Sequence, residues 1–295
     1  MYRISTITAV GSVNVLVDLG LLYNIFNLED EGLPHKESLI FVEYGKNKNI
    51  SNSKGVNPKK KKKKENKKRF DNQLTIILKI DDFINLKLFK NGRIQITGLK
   101  IIDNGKKAIN IIVDVIKYYN SIINIVDKIE EIKLLDYKIC LINSDFKFNY
   151  KIKRTDLYKF IITNTKLICS YEPCIYPGVK IQFYYNKNKN GICSCEKYCE
   201  NKNKNSTCVK ITIAIFESGC TIITGSKNIQ QIEDTYKYIY KMIDNNIDLF
   251  RKKEFLLPSV EPLRDSTEPV RDSTEPVRDS TEPFRDSTEP FRDST

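Results

Sequence analysis

The stretch Phe89-Lys-Asn-Gly-Arg-Ile-Gln-Ile-Thr-Gly-Leu-Lys100 returns later in the chain as Phe216-Glu-Ser-Gly-Cys-Thr-Ile-Ile-Thr-Gly-Ser-Lys227. Phenylalanine, two glycines, threonine and lysine recur at identical internal positions, and about twenty residues with helical patterning follow each copy. Such a repeat predicts two copies of one supersecondary unit, related by a pseudo-two-fold axis. Duplex DNA has a two-fold pseudosymmetry of its own, which a two-fold protein surface can match.

Patterns on both sides of each copy predict further strands and helices. Alternating apolar and polar residues predict strands at residues 4–18, 38–44, 74–80, 84–89, 93–97, 137–148, 179–185, 209–216 and 220–224. Helical spacing predicts helices at residues 18–27, 100–120, 153–165 and 228–247, the second of them burying Ile101, Ala108, Ile112, Val115 and Ile116. This order predicts an α+β fold, with an antiparallel sheet, helices on one face and the other face left for a partner.

Two low-complexity segments interrupt the repeats and predict solvated insertions outside the core. Residues 45–72 are rich in lysine, and residues 186–207 are rich in asparagine, lysine and cysteine. We therefore predict a first repeat over residues 1–136 and a second over residues 137–250. Residues 251–295 form a tail with five copies of Glu-Pro-X-Arg-Asp-Ser-Thr. The proline-bearing heptads predict a disordered tail, either an inert expansion or a weak competitor of DNA.

The charge of the chain is strongly uneven. The net charge is +12, and the five heptads contribute −5, so the first 260 residues carry +17. This excess suits a polyanionic partner, because counterion release supplies much of the affinity for nucleic acid. Lysine, asparagine and isoleucine are over-used together, as AT-rich coding DNA also produces. The unbroken run Lys59 to Lys64 therefore predicts either a nuclear-import or nucleic-acid patch, or an expanded solvated loop.

Eight cysteines are present, and no secretory signal accompanies them. Four lie within sixteen residues of the second insertion: Cys193, Cys195, Cys199 and Cys208. A structural zinc ion needs four such ligands, but their spacing is not a standard zinc pattern. We expect free or redox-active thiols and no cofactor, with zinc as the alternative.

The sequence argues against membrane proteins and most enzymes. It contains no uncharged apolar stretch long enough to span a bilayer, and its first residues lack a signal-peptide core, so we expect an intracellular protein. His35 is the only histidine, which excludes His-based triads and multi-His metal sites. No Walker A or G-x-G-x-x-G phosphate loop occurs. We expect a protein that is not an enzyme.

Several motifs resemble those of the TATA-box-binding protein family. Residues 171–178, Tyr-Glu-Pro-Cys-Ile-Tyr-Pro-Gly, resemble the family's Tyr-Glu-Pro-Glu-Leu-Phe-Pro-Gly. Residues 215–219 and 223–227 resemble Ile-Phe-Val-Ser-Gly and Leu-Thr-Gly-Ala-Lys, and residues 144–148 resemble Cys-Asp-Val-Lys-Phe. The resemblance covers roughly residues 4–250 and is more specific in the second repeat. It implies a saddle whose curved antiparallel sheet enters the DNA minor groove, with helices on the convex face and apolar wedges that unstack base steps.

The resemblance also implies roles for individual residues. Phe89, Phe216 and Tyr176 match three of the family's four wedge aromatics. The fourth position falls on His35 or Glu37 if the second strand is residues 38–44, or on Phe70 if the insertion lies earlier. The other matched positions are the groove-facing Thr97 and Thr224, and Arg93, Lys100 and Lys227 near phosphates. Cys220 replaces the family's basic residue in the second hairpin.

The first strand of each repeat departs from the family pattern. The family places an asparagine there, bonded to minor-groove acceptors, whereas the sequence alignment places Thr6 and Ile139 at these positions. Threonine donates one hydrogen bond and isoleucine none. Thr6 and its neighbour Thr8 are therefore predicted to face DNA, with an A·T preference in place of strict TATA recognition.

The resemblance predicts a general transcription initiation factor that binds and bends A·T-rich promoter DNA as a monomer. Its convex helices and Glu172 would contact other initiation factors and the RNA polymerase machinery. The composition is typical of a large DNA virus or an AT-rich protist, which predicts location in the nucleus, a cytoplasmic viral factory or the virion. The alternatives are a protein-interaction scaffold that has lost specific DNA binding, and a non-specific architectural minor-groove binder.

Overall fold

The computed structural model describes residues 1–45, 53–58, 72–127, 132–186, 191–193 and 208–252. The strands are β1 (Arg3–Val13), β2 (Leu39–Tyr44), β3 (Ser53–Gly55), β4 (Gln73–Lys79), β5 (Phe83–Phe89), β6 (Arg93–Leu99), β7 (Leu134–Lys147), β8 (Ile168–Ser170), β9 (Val179–Tyr185), β10 (Val209–Ile215) and β11 (Cys220–Ser226). The helices are α1 (Leu19–Ile25), α2 (Asp103–Ile122), α3 (Arg154–Asn164), α4 (Ile229–Asp244) and α5 (Ile247–Phe250), with a short 3-10 helix at Lys36–Ser38.

The described strands form one curved antiparallel sheet in the order β3-β2-β4-β5-β6-β1-β7-β11-β10-β9-β8. Strands β1 and β7 pair at its centre. Outward from this pair, β6, β5, β4 and β2 of the first half correspond to β11, β10, β9 and β8 of the second. The α+β class and the antiparallel sheet predicted from the sequence are confirmed.

The register of the central pair is symmetric about one position. Ile7 lies opposite Ile142, and the neighbouring pairs are Thr8 with Leu141 and Thr6 with Asn143. A two-fold rotation that exchanges Ile7 with Ile142 turns the pair Thr8 with Leu141 into the pair Asn143 with Thr6, which is also observed. A pseudo-two-fold axis therefore passes between Ile7 and Ile142. Asn143 is therefore the symmetry equivalent of Thr8.

The helices cover one face of the sheet, and each half has its own core. In β1 the buried residues are Ile7, Ala9, Gly11 and Val13, while the intervening residues are half-exposed. This alternation follows from the two-residue period of a strand. The core of the first half packs under α1 and α2, and the core of the second half under α3 and α4.

The predicted buried side of α2 is confirmed at four of its five residues. Ala108, Ile112, Val115 and Ile116 are fully buried. The prediction was wrong at Ile101, whose side chain is 51% exposed. Because the helix begins at Asp103, Ile101 lies in the turn before it and does not share the helical face.

Both predicted insertions contribute residues to the fold, so the expectation of purely solvated segments was wrong. Within residues 45–72, Ser53–Gly55 pairs with β2 as an edge strand. Within residues 186–207, Asn186 is buried and Gly191 forms a bridge with Tyr184. Residues 59–71, which include the lysine run, and residues 194–207 lie outside the described residues. The tail was predicted to begin at residue 251, but Arg251 forms a bridge with Ile152, and the chain lies outside the described residues only from residue 253.

Lys54, in the middle of β3, caps the C-terminal end of α1. Its Nζ donates to the carbonyl oxygens of Tyr23, Asn24 and Phe26 at 2.6, 3.0 and 2.6 Å. The last carbonyls of a helix have no partner within the helix, so this ammonium group satisfies them. Burial lowers the pKa of Lys54 below its usual value. The strand therefore ties the predicted insertion to α1.

Replacing Lys54 with methionine is expected to lower the free energy of unfolding by about 2 kcal/mol, because hydrogen bonding by a charged group contributes about 1.5–3 kcal/mol and the three bonds here share one ammonium group. Thermal unfolding followed by circular dichroism measures the loss. Lys107→Met, at an exposed position of α2, is the control and is expected to change the midpoint little. Equal midpoints for the two variants would contradict the capping role.

None of the described helices has both the length and the apolar character that crossing a bilayer requires.

Candidate nucleic-acid interface

The sheet side opposite the helices, here called the open face, carries the half-exposed residues of each strand. No helix covers it within the described parts of the chain. Four predicted contact residues lie on it near the pseudo-two-fold axis: Thr6, Thr8, Thr97 and Thr224. Thr8 pairs with Thr97 across β1 and β6. The structure thus brings four hydroxyl groups to the centre of one surface.

The structure corrects the sequence alignment of the two central strands. Its register makes Leu141, and not Ile139, the symmetry equivalent of Thr6. Ile139 packs against the core of the first half, on the helix side of the sheet. The reason is a bulge at Cys140, which shifts the alternation of faces by one residue.

Sequence reasoning missed Asn143, the amide on the open face nearest the axis. It lies between Ile142 and Ser144, which are both fully buried on the helix side, so its own side chain is on the open face. Its Oδ1 has no hydrogen-bond partner among the described residues. In the sequence, the alternation of strand faces counted back from Phe146 and Phe148 would have placed Asn143 on the face opposite to these two residues.

The aromatic pair of the second half lies at the end of the open face. The rings of Tyr176 and Phe216 have centroids 5.7 Å apart and planes inclined by 57°. Gly178 allows this approach, because a Cβ there would lie 2.9 Å from Tyr176 Cε1 and 3.1 Å from Phe216 Cε1. Both rings are half-exposed, and Lys180 Nζ lies 4.0 Å from the Tyr176 ring centroid.

Phe89 holds the matching position in the first half. It is half-exposed at the end of β5 and borders a cavity of about 820 Å³, together with Val10, Leu16 and Arg93. The structural equivalent of β9 is β4, so the segment just before Gln73 corresponds to the Tyr176 region. Phe70 and its neighbours there lie outside the described residues.

The alternatives for the fourth wedge at His35 and Glu37 were wrong. Both residues precede β2, which pairs on the outer side of β4 and away from β5. His35 Nε2 lies 2.9 Å from Asp114 Oδ2, a residue of α2, so its side chain is on the helix side. Phe70 precedes β4 by as many residues as Tyr176 precedes β9, and its assignment as the fourth wedge stays a prediction because it lies outside the described residues.

The predicted phosphate-contacting residues differ in their surroundings. Arg93 and Lys227 are exposed. Lys100 is also exposed, but its Nζ donates to the carbonyl oxygen of Ser5. Cys220, the counterpart of Arg93, is exposed and pairs with Lys147 of β7. The cation that the second hairpin lacks is thus replaced by one on the neighbouring strand.

Two carboxylates on the open face belong to strand β7, Asp136, which accepts from the Ser12 hydroxyl at 2.6 Å, and Asp145. Asp145 is the one nearer the centre of the sheet. Arg3 Nε donates to it at 2.7 Å, and the Ser5 hydroxyl donates to its other oxygen. Partial burial acts to raise the pKa of Asp145, but the hydrogen bonds from Ser5 and Arg3 and the charges of Arg3 and Lys100 outweigh it and hold the pKa below its usual value. This local pairing offsets the repulsion that Asp145 would exert on a phosphate backbone.

Comparison with known proteins assigns the chain to a family. Residues 136–246 match the family model described as Transcription factor TFIID (or TATA-binding protein, TBP). A TATA-box-binding protein-like protein of Acanthamoeba polyphaga mimivirus is 30% identical over 283 residues, covering 88% of this chain and 69% of the relative. The chain belongs to the TATA-box-binding protein family.

The comparisons also agree with the expected divergence and viral origin. The relative is viral, and the family model matches the second repeat, which carries the clearer motifs. Among solved structures, Methanococcus jannaschii TBP is similar at 18% identity and a TM-score of 0.46, covering 84% of this chain and 98% of that chain.

In this TATA-box-binding protein family member, residues 171–178 form a turn between β8 and β9, here called the second stirrup. The carbonyl oxygen of Glu172 accepts from the backbone N–H groups of Ile175 and Tyr176 at 3.0 and 2.8 Å. The Glu172 side chain is exposed, and Ile175 is 79% exposed. The stirrup therefore fixes Tyr176 through its backbone and leaves Glu172 available to a partner.

The cysteine cluster of this family member is only partly described. Cys193 and Cys208 are half-buried, while Cys195 and Cys199 lie outside the described residues. Asn186 Nδ2 lies 3.8 Å from Cys208 Sγ. Within the described residues, no group of three or more potential ligands is arranged to hold a metal ion. Free or redox-active thiols, with zinc as the alternative, stay a prediction for the complete set of four cysteines.

Proposed function

We propose that this protein is a general transcription initiation factor that binds A·T-rich promoter DNA through the minor groove and bends it. The observation that carries the proposal is the half-exposed pair Tyr176 and Phe216 at one end of the open face. Apolar side chains inserted between base steps unstack them and kink the duplex. Phe89 would act in the same way at the other end.

The composition of the open face supports minor-groove binding. At its centre, threonine hydroxyls and the Asn143 amide would donate to adenine N3 and thymine O2, the acceptors that A·T pairs present there. The guanine N2 amino group places a second donor at this position, which disfavours G·C pairs. Arg93 and Lys227 would contact phosphates, assisted by the +17 charge of the first 260 residues.

The helix side of the sheet would bind the other initiation factors and the RNA polymerase machinery, together with Glu172 of the second stirrup. The protein would act as a monomer on DNA and by binding, without catalysis. Its site of action would be the nucleus or, for a virus, the cytoplasmic viral factory or the virion. The viral relative supports the second location.

The test is a fluorescence-anisotropy titration of the full chain with A·T-rich and G·C-rich duplexes of equal length, across a salt series. We expect tighter binding to the A·T-rich duplex at every salt concentration, because groove contacts are less salt-dependent than phosphate contacts. Equal binding to both duplexes that disappears as salt rises would reject the proposal and favour the scaffold.

Replacing Asn143 with alanine is expected to weaken binding to the A·T-rich duplex about five-fold and binding to the G·C-rich duplex less, because one base-edge hydrogen bond of about 1 kcal/mol is lost. The salt dependence should not change, since no charge is removed. Asn110→Ala, the same change at an exposed position of α2, is the control. An equal loss on both duplexes would show that Asn143 does not read base edges.

A second candidate is a non-specific architectural minor-groove binder. The observation that favours it is Leu141, which the bulge at Cys140 leaves on the open face beside the axis. A leucine contributes no hydrogen bond to a base edge. The same titration separates the candidates, because the architectural binder would bind both duplexes with similar affinity and would keep this binding as the salt concentration rises.

A further inference from the structure

Arg154, the first residue of α3, connects the two backbone segments that carry the second aromatic pair. Its Nη1 donates to the carbonyl oxygen of Pro177 at 2.5 Å, and its Nη2 donates to Glu217 Oε2 at 2.7 Å. Pro177 directly follows Tyr176, and Glu217 directly follows Phe216. A single planar guanidinium group therefore fixes the distance between the stirrup and the hairpin.

The other groups around Arg154 restrain the same contact. Lys252 Nζ donates to Glu217 Oε1 at 2.5 Å, so each carboxylate oxygen has its own cation. This hydrogen bond, together with the charges of Lys252 and Arg154, outweighs the opposing effect of burial and holds the pKa of Glu217 below its usual value. The Arg154 guanidinium also lies 5.5 Å from the Tyr171 ring centroid. Arg154, Glu217 and Lys252 are called the clamp below.

The first half shows that the fold does not need the clamp. The backbone bond from Ile152 N to Glu217 O, at 2.8 Å, has its equivalent in Val17 N to Lys90 O, at 2.9 Å. The hairpin is thus anchored in the same way in both halves. The counterparts of Arg154 and Glu217 are Leu19, which is buried, and Lys90, so the first half has no such ion pair.

The exchange of Lys90 for Glu217 is unfavourable for DNA binding in itself. A carboxylate beside a wedge residue repels phosphates, whereas a lysine attracts them. The clamp offsets this repulsion and also links the segments that carry the two aromatic residues. The clamp therefore acts on the position of Tyr176 and Phe216 relative to each other.

We propose that the clamp holds Tyr176 and Phe216 at their mutual position before DNA binds, so that the second half presents a preformed wedge. Arg154 and Glu217 are positioning residues, which act through the aromatic pair. The inference rests on the proposed function for its effect on DNA, but its effect on the free protein does not. Pre-organised groups bind more tightly because less ordering is required on association.

The test uses Glu217→Gln and Arg154→Lys in the full chain. For Glu217→Gln, we expect about five-fold weaker binding to the A·T-rich duplex and a smaller bend, measured by energy transfer between dyes at the duplex ends. Simple electrostatics predicts the opposite, tighter binding, because an acid near DNA has been removed. Arg154→Lys keeps the positive charge but loses the planar group whose two nitrogens bond to Pro177 and Glu217. It should reduce the bend as much as Glu217→Gln does. Asp156→Asn, an exposed acid on the same helix, should leave the bend unchanged.

A measurement without DNA separates this inference from the proposed function. We expect a nuclear Overhauser effect between the Tyr176 and Phe216 rings in the free wild-type protein, and its loss in both clamp variants while the thermal midpoint stays close to that of Asp156→Asn. If the clamp variants lose this contact but even the wild-type protein does not bend DNA, the positioning role stands and the proposed function fails. If the contact and the bend persist in both variants, the clamp is overturned.

Discussion

Replacing Phe216 with alanine is expected to weaken binding to A·T-rich DNA about 100-fold and to remove most of the bend at that end of the site. The native ring is half-exposed and packs on the ring of Tyr176. Unstacking a base step costs a few kcal/mol, and the inserted ring offsets this cost. Without the ring, about 2.7 kcal/mol of binding free energy is lost, which corresponds to the stated factor.

The fold should tolerate this change, because Phe216 is not part of either core. Thermal unfolding should show a midpoint close to that of the wild type. Tyr240→Ala, a partly exposed aromatic on α4, is the matched control and should leave binding to DNA unaffected. If Phe216→Ala binds and bends the A·T-rich duplex as the wild type does, the open face is not the DNA-binding surface.

The architecture was predictable because its signals are local or repeated. Alternation and helical spacing mark each element, and the duplicated hairpin motif marks the two halves. Helix α1 shows the accuracy that local signals give. The helical pattern of residues 18–27 predicts this helix. It begins after Asp18, whose side chain accepts a hydrogen bond from the backbone N–H of Leu21. Periodicity and capping act over one or two turns, so the sequence displays them directly.

Single-residue bulges limited the prediction of the site. Ser5 and Cys140 are extra residues at equivalent places in β1 and β7, and each reverses the alternation beyond it. Because strand alternation has a period of two, one extra residue moves all following side chains to the other face. Ile139 was therefore assigned to the wrong face.

Contacts between distant segments were also beyond the sequence. Lys54 caps a helix about thirty residues away, and Arg154 bonds to a residue more than sixty positions further along the chain. Neither lysine nor arginine carries a local pattern that identifies its partner, because both have long flexible stems that reach several neighbours. Only the assembled sheet brings these groups together.

The largest effect on stability is expected for Gly219→Ala in the second hairpin. Gly219 has φ of 81°, which costs an alanine about 1–2 kcal/mol. A Cβ there would lie 2.6 Å from the Tyr150 carbonyl oxygen and 2.7 Å from the Phe148 carbonyl oxygen. These are backbone atoms, so no side-chain rotation relieves the contact. The Gly219 carbonyl oxygen also accepts from Phe148 N at 3.1 Å, a bond that any shift would lengthen.

The combined loss should be about 3 kcal/mol or more, which corresponds to a fall in Tm of about 6–12 °C for a chain of this size. Gly20→Ala is the matched control: its Cβ would meet nothing closer than 3.4 Å within α1, so a rise in stability of up to about 1 kcal/mol is expected. An unchanged Tm for Gly219→Ala would contradict the hairpin geometry.

Gly92 occupies the same position in the first half, with φ of 75° and the Val13 and Val15 carbonyl oxygens 2.5 and 2.6 Å from its Cβ position. The repeated glycine that identifies the duplication in the sequence is thus required by the same backbone contact in both halves.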